Sequence, residues 1–223
     1  MTADDVAYLE AALGRLPAIN WSNIEEAVVA SEQACRMIGD DKRLLELLIK
    51  RAGSDPKLFD MCECHDLDDK IVLYDDLEQG YRVRLRLAKD EQYERAHNHR
   101  FPFTAYILYG QYYQQWYRIE GEPAETTVPA DVHLLAKRVE QTGSIFTISA
   151  DAFHSTQTSP KTVSLMICGP AVRKKSFIIN MDSGRVWGKS GRSSESKEEI
   201  EAYKMPRATF DAWVDFMASV GVI

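Results

Sequence analysis

Five histidines are present, His65, His97, His99, His133 and His154, and two of them stand together as His97-Asn98-His99. In a strand or extended loop, residues i and i+2 point the same way, so both imidazoles of that pair can face one point. His154 is expected in a separate loop between two later strand-like segments. Three imidazoles converging inside a barrel make an open site for a divalent metal. Imidazole suits Zn, Cu, Fe and Ni, and ligands fewer than the metal's coordination positions leave room for water, O₂ or substrate. Two solvated loop histidines are the competing reading of the pair taken alone.

Other polar residues near these histidines are candidates for binding or proton transfer. Tyr81 to Leu87 reads YRVRLRL, with Arg82, Arg84 and Arg86 on one face and Val83, Leu85 and Leu87 on the other. The arginines either hold an anionic substrate at the barrel mouth by bidentate pairing or form a solvated sheet face, the preferred reading. Arg82 and Arg84 are therefore the substrate-binding candidates, with Gln114 and Gln157 beside the motif strands. Ser164 and Tyr106 are the candidates for proton relay. Glu91 and Glu94 precede the histidine pair and offer a carboxylate ligand or base, although a solvated loop is preferred there. Cys62-Glu63-Cys64-His65 has metal-ligand residue types but lacks an obvious further ligand, so packing at a helix-to-barrel junction is expected. His133 reads as a satisfied strand histidine.

The elements that must position these residues follow from hydrophobic period. Asp4 to Arg15 carries Val6, Leu9 and Leu13 near one helix face. Ser22 and Glu25 have capping-box spacing, which predicts a second helix from about Asn23 to Gly39. Asp41 opens a leucine-rich helix closing near Gly53, and Pro56 starts one more turn. From Lys70 the period falls to 2. Strands are predicted at Ile71–Tyr74, Tyr81–Leu87, Phe103–Tyr109, Tyr112–Ile119, Val132–Glu140, Gly143–Ser149, Thr162–Cys168 and Ser176–Asn180, separated by Gly, Pro, Asp and Ser turns. On Phe103–Tyr109, Phe103, Ala105 and Ile107 share a side and Tyr106 faces the other. Residues 188–199 are Ser-rich and read as a solvated loop. A last helix, about Arg207 to Val220, places Phe210, Trp213, Val214 and Met217 on one face. The expected organisation is a helical segment over 1–66, a β barrel over 67–187, and a polar loop and helix over 188–223, in one structural domain.

Residues 70–180 resemble the cupin superfamily. That family's first motif pairs His-x-His with a Glu and a Gly further on; here His97-x-His99, Phe103 and Gly110 keep the spacing. Its second motif is matched in spacing by Gly143, Ser149, Asp151, His154 and Thr158. The resemblance implies a mainly β, double-stranded β-helix barrel, here with an N-terminal helical segment and a C-terminal helix. Phe103 stands where the family has its Glu ligand, so the implied metal set is His97, His99 and His154. This three-His set is similar to that of the cysteine dioxygenase branch, which also places helices before its barrel. Val163 to Pro170 resembles that branch's Ser-x-His-x-Tyr strand; Ser164 matches, while Met166 and Cys168 replace the His and the Tyr. The branch's carboxylate-binding Arg falls near Asp76, whose charge opposes a substrate carboxyl, so cysteine is not the expected substrate.

The resemblance implies a mononuclear non-haem metal enzyme, with an Fe(II) oxygenase on a small polar metabolite as the leading expectation. Ni, Cu, Zn and Mn are the alternative metals. A non-catalytic sensor of a small ligand or metal, and a non-oxidative isomerase or lyase, are the competing functions. Composition agrees with a globular chain: 223 residues, 45% hydrophobic and 27% charged, with net charge −7. An acidic balance argues against nucleic-acid partners and anionic membranes. No apolar run of about 18 residues suggests a membrane span. Four cysteines and no secretory pattern favour a reduced, cytoplasmic protein. The expected partners are a small-molecule substrate and O₂, and analogy with cupins admits a homodimer.

Overall fold

Leucine spacing builds the first layer. The computed structural model describes residues 1–76, 78–89, 95–121, 123–191 and 194–223. It opens with four helices, α1 (Ala3–Leu13), α2 (Ile24–Gly39), α3 (Lys42–Ser54) and α4 (Pro56–Asp60). Thr2, Asn23, Asp41 and Asp55 cap them by accepting backbone N–H groups of the first turn. The start of α2 differs from the expected Ser22 cap. Asn23 accepts from the N–H of Glu25 and Glu26, and the Ser22 hydroxyl instead donates back to Asn20 Oδ1 at 2.6 Å. Asn is as good a cap as Ser, and Asn23 directly precedes the first helical residue.

Twelve strands follow among the described residues: β1 (Glu63–Cys64), β2 (Asp68–Asp76), β3 (Tyr81–Ala88), β4 (Arg95–His97), β5 (Phe103–Tyr109), β6 (Gln111–Ile119), β7 (Val132–Gln141), β8 (Ile145–Ile148), β9 (Phe153–Thr158), β10 (Val163–Cys168), β11 (Lys175–Asn180) and β12 (Val186–Ser190). They form two six-stranded sheets, ordered β1-β2-β3-β10-β5-β8 and β12-β11-β4-β9-β6-β7. β6 and β7 make a hairpin. Strands before it pair antiparallel with strands after it in nested order: β5 with β8, β4 with β9, β3 with β10. Successive pairs fall in alternate sheets, so one long two-stranded ribbon is wound into a sandwich. That connectivity is the double-stranded β-helix, or jelly roll, expected from the sequence.

The helices cover the outer face of the first sheet. Val83, Leu85, Leu87, Leu165 and Ile167 share one buried cluster with Ile38, Leu44, Leu45 and Leu48. Each such side chain contributes about 1.5–3 kcal/mol on leaving water. This packing fixes the pleat. With Val83, Leu85 and Leu87 held under the helices, Arg82, Arg84 and Arg86 must point between the sheets. The expected solvated arginine face is thus an inner wall. α6 (Arg207–Ser219) buries Phe210 and Met217 in the same cluster, with Trp213 and Val214 partly buried against it. The Trp213 indole N–H donates to Asp69 Oδ2 at 2.8 Å, tying the helix to β2.

Two further expectations are corrected. Residues 188–199 are not all loop: β12 runs to Ser190, and α5 (Lys197–Ala202) starts within the stretch behind a Ser196–Glu199 capping box. His154 lies on β9 rather than in a loop. β9, FHSTQT, is polar after Phe153, so its apolar alternation is too weak to announce a strand. Glu91 and Glu94 lie outside the described residues. No described helix is long and apolar enough to cross a membrane.

Candidate metal centre

Strand register brings two of the three histidines together. His97 on β4 sits directly opposite His154 on β9, and His154 directly opposite Trp116 on β6. Cross-strand neighbours have Cβ atoms about 4.5–5.5 Å apart, so imidazoles on one face of this row must meet. His99 follows two residues on, where pairing with β9 has ended. Asn98 keeps the alternation. Its N–H donates to the Phe177 carbonyl at 3.2 Å, and its Oδ1 accepts from the Phe177 N–H at 2.8 Å. Asn98 therefore turns toward β11, and the flanking histidines both turn inward.

The three rings form a near-equilateral cluster. Centroid separations are 4.8 Å for His97–His99, 4.7 Å for His97–His154 and 5.1 Å for His99–His154. One ligand nitrogen from each lies within 4.8 Å of the others. The free valences are directed by neighbours. His97 Nδ1 lies 2.9 Å from the Arg95 carbonyl, which can only accept, so Nδ1 carries the proton and Nε2 the lone pair. His154 Nδ1 lies 3.0 Å from Gln114 Oε1, with the same consequence. The Nε2 atoms of His99 and His154 are 2.8 Å apart. Two lone pairs at that separation repel unless a proton or a cation lies between them.

Burial keeps the cluster neutral. His97 is held below the ordinary histidine range by desolvation, only partly offset by its bond to the Arg95 carbonyl. His99 and His154 are held well below it, by desolvation first and then by neighbouring positive charge. Neutral imidazoles, with the Nε2 lone pairs of His97 and His154 freed by the bonds at Nδ1, are donors a borderline divalent metal takes. Hydrogen bonds to the outer nitrogens orient such ligands. The residues present therefore fit a three-His metal centre. Phe103, in the position of the absent Glu, packs edge-on against His99 with centroids 4.7 Å apart.

The cluster lines a cavity of about 470 Å³ between the sheets. Arg82, Arg84 and Arg86 line it too. Arg82 pairs with Asp75 at 2.9 Å. Arg86 Nε pairs with Asp68 at 2.6 Å, and Arg86 Nη1 donates to the Tyr112 hydroxyl at 2.9 Å. Tyr112, accepting from Arg86, has its own proton for Ser164 Oγ at 2.7 Å. Ser164 is fully buried and sits behind Tyr112, which itself faces the cavity. Tyr112 was not among the expected site residues. Its inward side of the strand shared with Gln114 and Trp116 is the signal that would have found it.

Three expected site residues lie elsewhere. Tyr106 is on the opposite face of β5 from Phe103. It packs under the helices against Gly39 and donates to Asp40, so it does not reach the cavity. Gln157 is exposed on the outer side of β9, because it is odd in register from His154. Gln114 is buried at 1% exposure and holds His154 rather than lining the cavity. Asp76, expected to oppose a carboxyl, faces its own turn, accepting from Tyr74 and from the N–H groups of Glu78 and Gln79. Cys62 is fully buried between Leu58 and Val72, and His65 pairs with Glu63. The His97–His99–His154 cluster is the one group of potential metal ligands among the described residues. His133 makes an exposed pair with Glu120 at 2.9 Å.

No family model and no curated protein matches the sequence. Solved structures with cupin folds are similar at low identity. A protein of unknown function with a cupin-like fold from Ralstonia eutropha JMP134 is 15% identical, with 70% of this chain and 76% of that one covered, at TM-score 0.37. An RmlC-like cupin from the same organism is 12% identical, with 71% and 79% covered, at TM-score 0.35. The hydroquinone 1,2-dioxygenase PnpCD, solved with Cd²⁺ and 4-hydroxybenzonitrile, is 16% identical, with 56% and 72% covered, at TM-score 0.35. The jelly-roll assignment rests on the strand order itself.

Proposed function

We propose that this protein is a mononuclear metal-dependent enzyme of the cupin type, an Fe(II) oxygenase acting on a small metabolite. The observation that carries the proposal is the meeting of His97, His99 and His154 on the wall of a cavity large enough for a small substrate. These three residues would hold the metal, and Fe(II) there would supply activation of O₂ beside a bound substrate. With Phe103 in place of an anionic ligand, a metal held there would keep more of its positive charge.

The chain's own residues do the rest. Gln114 and the Arg95 carbonyl fix the tautomers of His154 and His97. Phe101, Phe103, Phe146 and Met166 give the cavity apolar walls that exclude water from the ligands. The Tyr112 hydroxyl, accepting from Arg86 and bonded to Ser164, holds the polar wall of the cavity in place. Cys35, Cys64 and Cys168 carry free thiols, which supports a reducing, cytoplasmic setting.

The test is oxygen consumption by protein loaded with Fe(II) under nitrogen, screened against small acids, thiols and aromatic alcohols. Uptake that depends on Fe(II) and disappears in His99→Ala supports the oxygenase. Turnover that needs no O₂ and runs with Zn, Ni or Mn assigns the site to isomerase or lyase chemistry. Ligand-induced stabilisation with no turnover assigns it to sensing.

A further inference from the structure

The net charge of the chain is −7, yet the cavity is lined the other way. Seven lysines and arginines line it against four aspartates and glutamates. Most of the deep cations are already engaged: Arg82 with Asp75, Arg86 with Asp68 and Tyr112, Lys70 with Glu63 and Asp68. Arg84 differs from them. It sits in the middle of the arginine row on β3, opposite Met166 on β10. No carboxylate pairs with it among the described residues, and its Nε is buried without a hydrogen-bond partner. Its guanidinium lies over the Phe101 ring, 5.5 Å from the centroid, and Phe101 in turn lies 6.4 Å from His99. A buried guanidinium nitrogen with no acceptor carries the full cost of desolvation. A cavity lined by a guanidinium without a carboxylate partner, beside the buried histidine cluster, is built to receive the acceptor from outside.

The geometry points to Arg84 as the anchor for an organic anion, a small apolar or aromatic body carrying one oxyanion group, as the molecule this cavity binds. This rests on the metal-centre reading for the position of the reacting end, but not for the anion anchor itself. The oxyanion would take the fork of Arg84, whose planar donors match two oxygens at once. The body would lie along Phe101, Phe103, Phe146 and Met166, which places its far end at the histidines. Arg82 is a poor anchor because Asp75 already holds it, and a second carboxylate would have to compete.

The experiment is calorimetric titration of the protein, metal-free and loaded with Fe(II) under nitrogen, with benzoate, phenylphosphonate, 3-phenylpropionate and the neutral isosteres benzamide and 3-phenylpropionamide. The acids are expected to bind and the amides to bind at least about tenfold more weakly. Benzoate against phenylphosphonate reads which oxyanion is preferred. Arg84→Gln is expected to lose at least about tenfold in acid affinity, Arg84→Lys less, and Arg82→Gln less than about threefold. Metal content and thermal unfolding are read on every sample, so a misfolded variant is recognised, and Arg84→Lys then carries the comparison. Amides binding as tightly as acids, no acid binding below about 10 mM, or a larger loss in Arg82→Gln than in Arg84→Gln overturns the assignment. A wild-type protein that takes no metal but binds acids through Arg84 overturns the metal-centre reading and leaves the anchor standing.

Discussion

Gln114 shows how much of a site resides one step behind its ligands. Its amide oxygen fixes the proton of His154 on Nδ1 and thereby frees Nε2. Gln114→Leu is expected to lower metal affinity about 10–100-fold with the fold intact, whereas Gln114→Glu, which keeps an acceptor, should stay closer to wild type. Chelator competition measures both. The histidines also set a pH dependence. Because burial holds His97, His99 and His154 below their ordinary range, the unfolded chain takes up protons first as pH falls. Their contribution is complete above about pH 6.5 and is lost progressively below it. Asp68 has the same sign in a lower window. Burial opposes its charge, but Arg86 and Lys70 overcome burial and hold it well below the usual carboxylate range, so its contribution is present above about pH 3.9 and lost below. Urea unfolding of metal-free protein at about pH 7.5 and about pH 5.5 should therefore show a loss that is smaller when all three histidines are Asn. Equal losses in the two proteins would contradict the neutral, buried cluster.

At the scale of elements, legibility followed hydrophobic contrast. β3 was visible because its two faces meet unlike surroundings, and the alternation of Arg82–Leu87 gave its register. Which surroundings each face meets was not visible, since an arginine row reads alike on a wet surface and on a polar inner wall. Only the helices lying over Val83, Leu85 and Leu87 decide it. β4 and β9, the strands that carry His97 and His154, are short or polar and had no contrast to betray them. The His-x-His spacing found the site where periodicity could not find its strands. The N-terminus of α2 was ambiguous for a different reason, because Ser22 and Asn23 are both good caps. The structure predicts that Asn23→Ala costs about 1 kcal/mol, and that Ser22→Ala stays within about 0.5 kcal/mol. Thermal or urea unfolding of the two variants separates these values, and the reverse order would restore the Ser22 cap.

Over the whole molecule, one buried cluster runs from the N-terminal helices through the first sheet to α6, so the barrel and its helical cover share a core. Removing residues 1–60 would strip Val83, Leu85 and Leu165 of their cover at once. The shortened chain is expected to aggregate rather than persist as a free barrel, which light scattering on the refolded protein would reveal. The cover also has a functional consequence. By claiming the apolar side of β3 it directs the arginine side inward, so the helices charge the cavity without touching it. The central claim is that three imidazoles on that cavity wall hold one metal ion. The most direct test is elemental analysis after anaerobic loading with Fe(II) and desalting, on wild type and on His97→Ala, His99→Ala and His154→Ala. The account predicts about one metal per chain in the wild type and at least about tenfold weaker retention in each variant. A wild type that retains no metal, or variants that retain as much as it does, would contradict it.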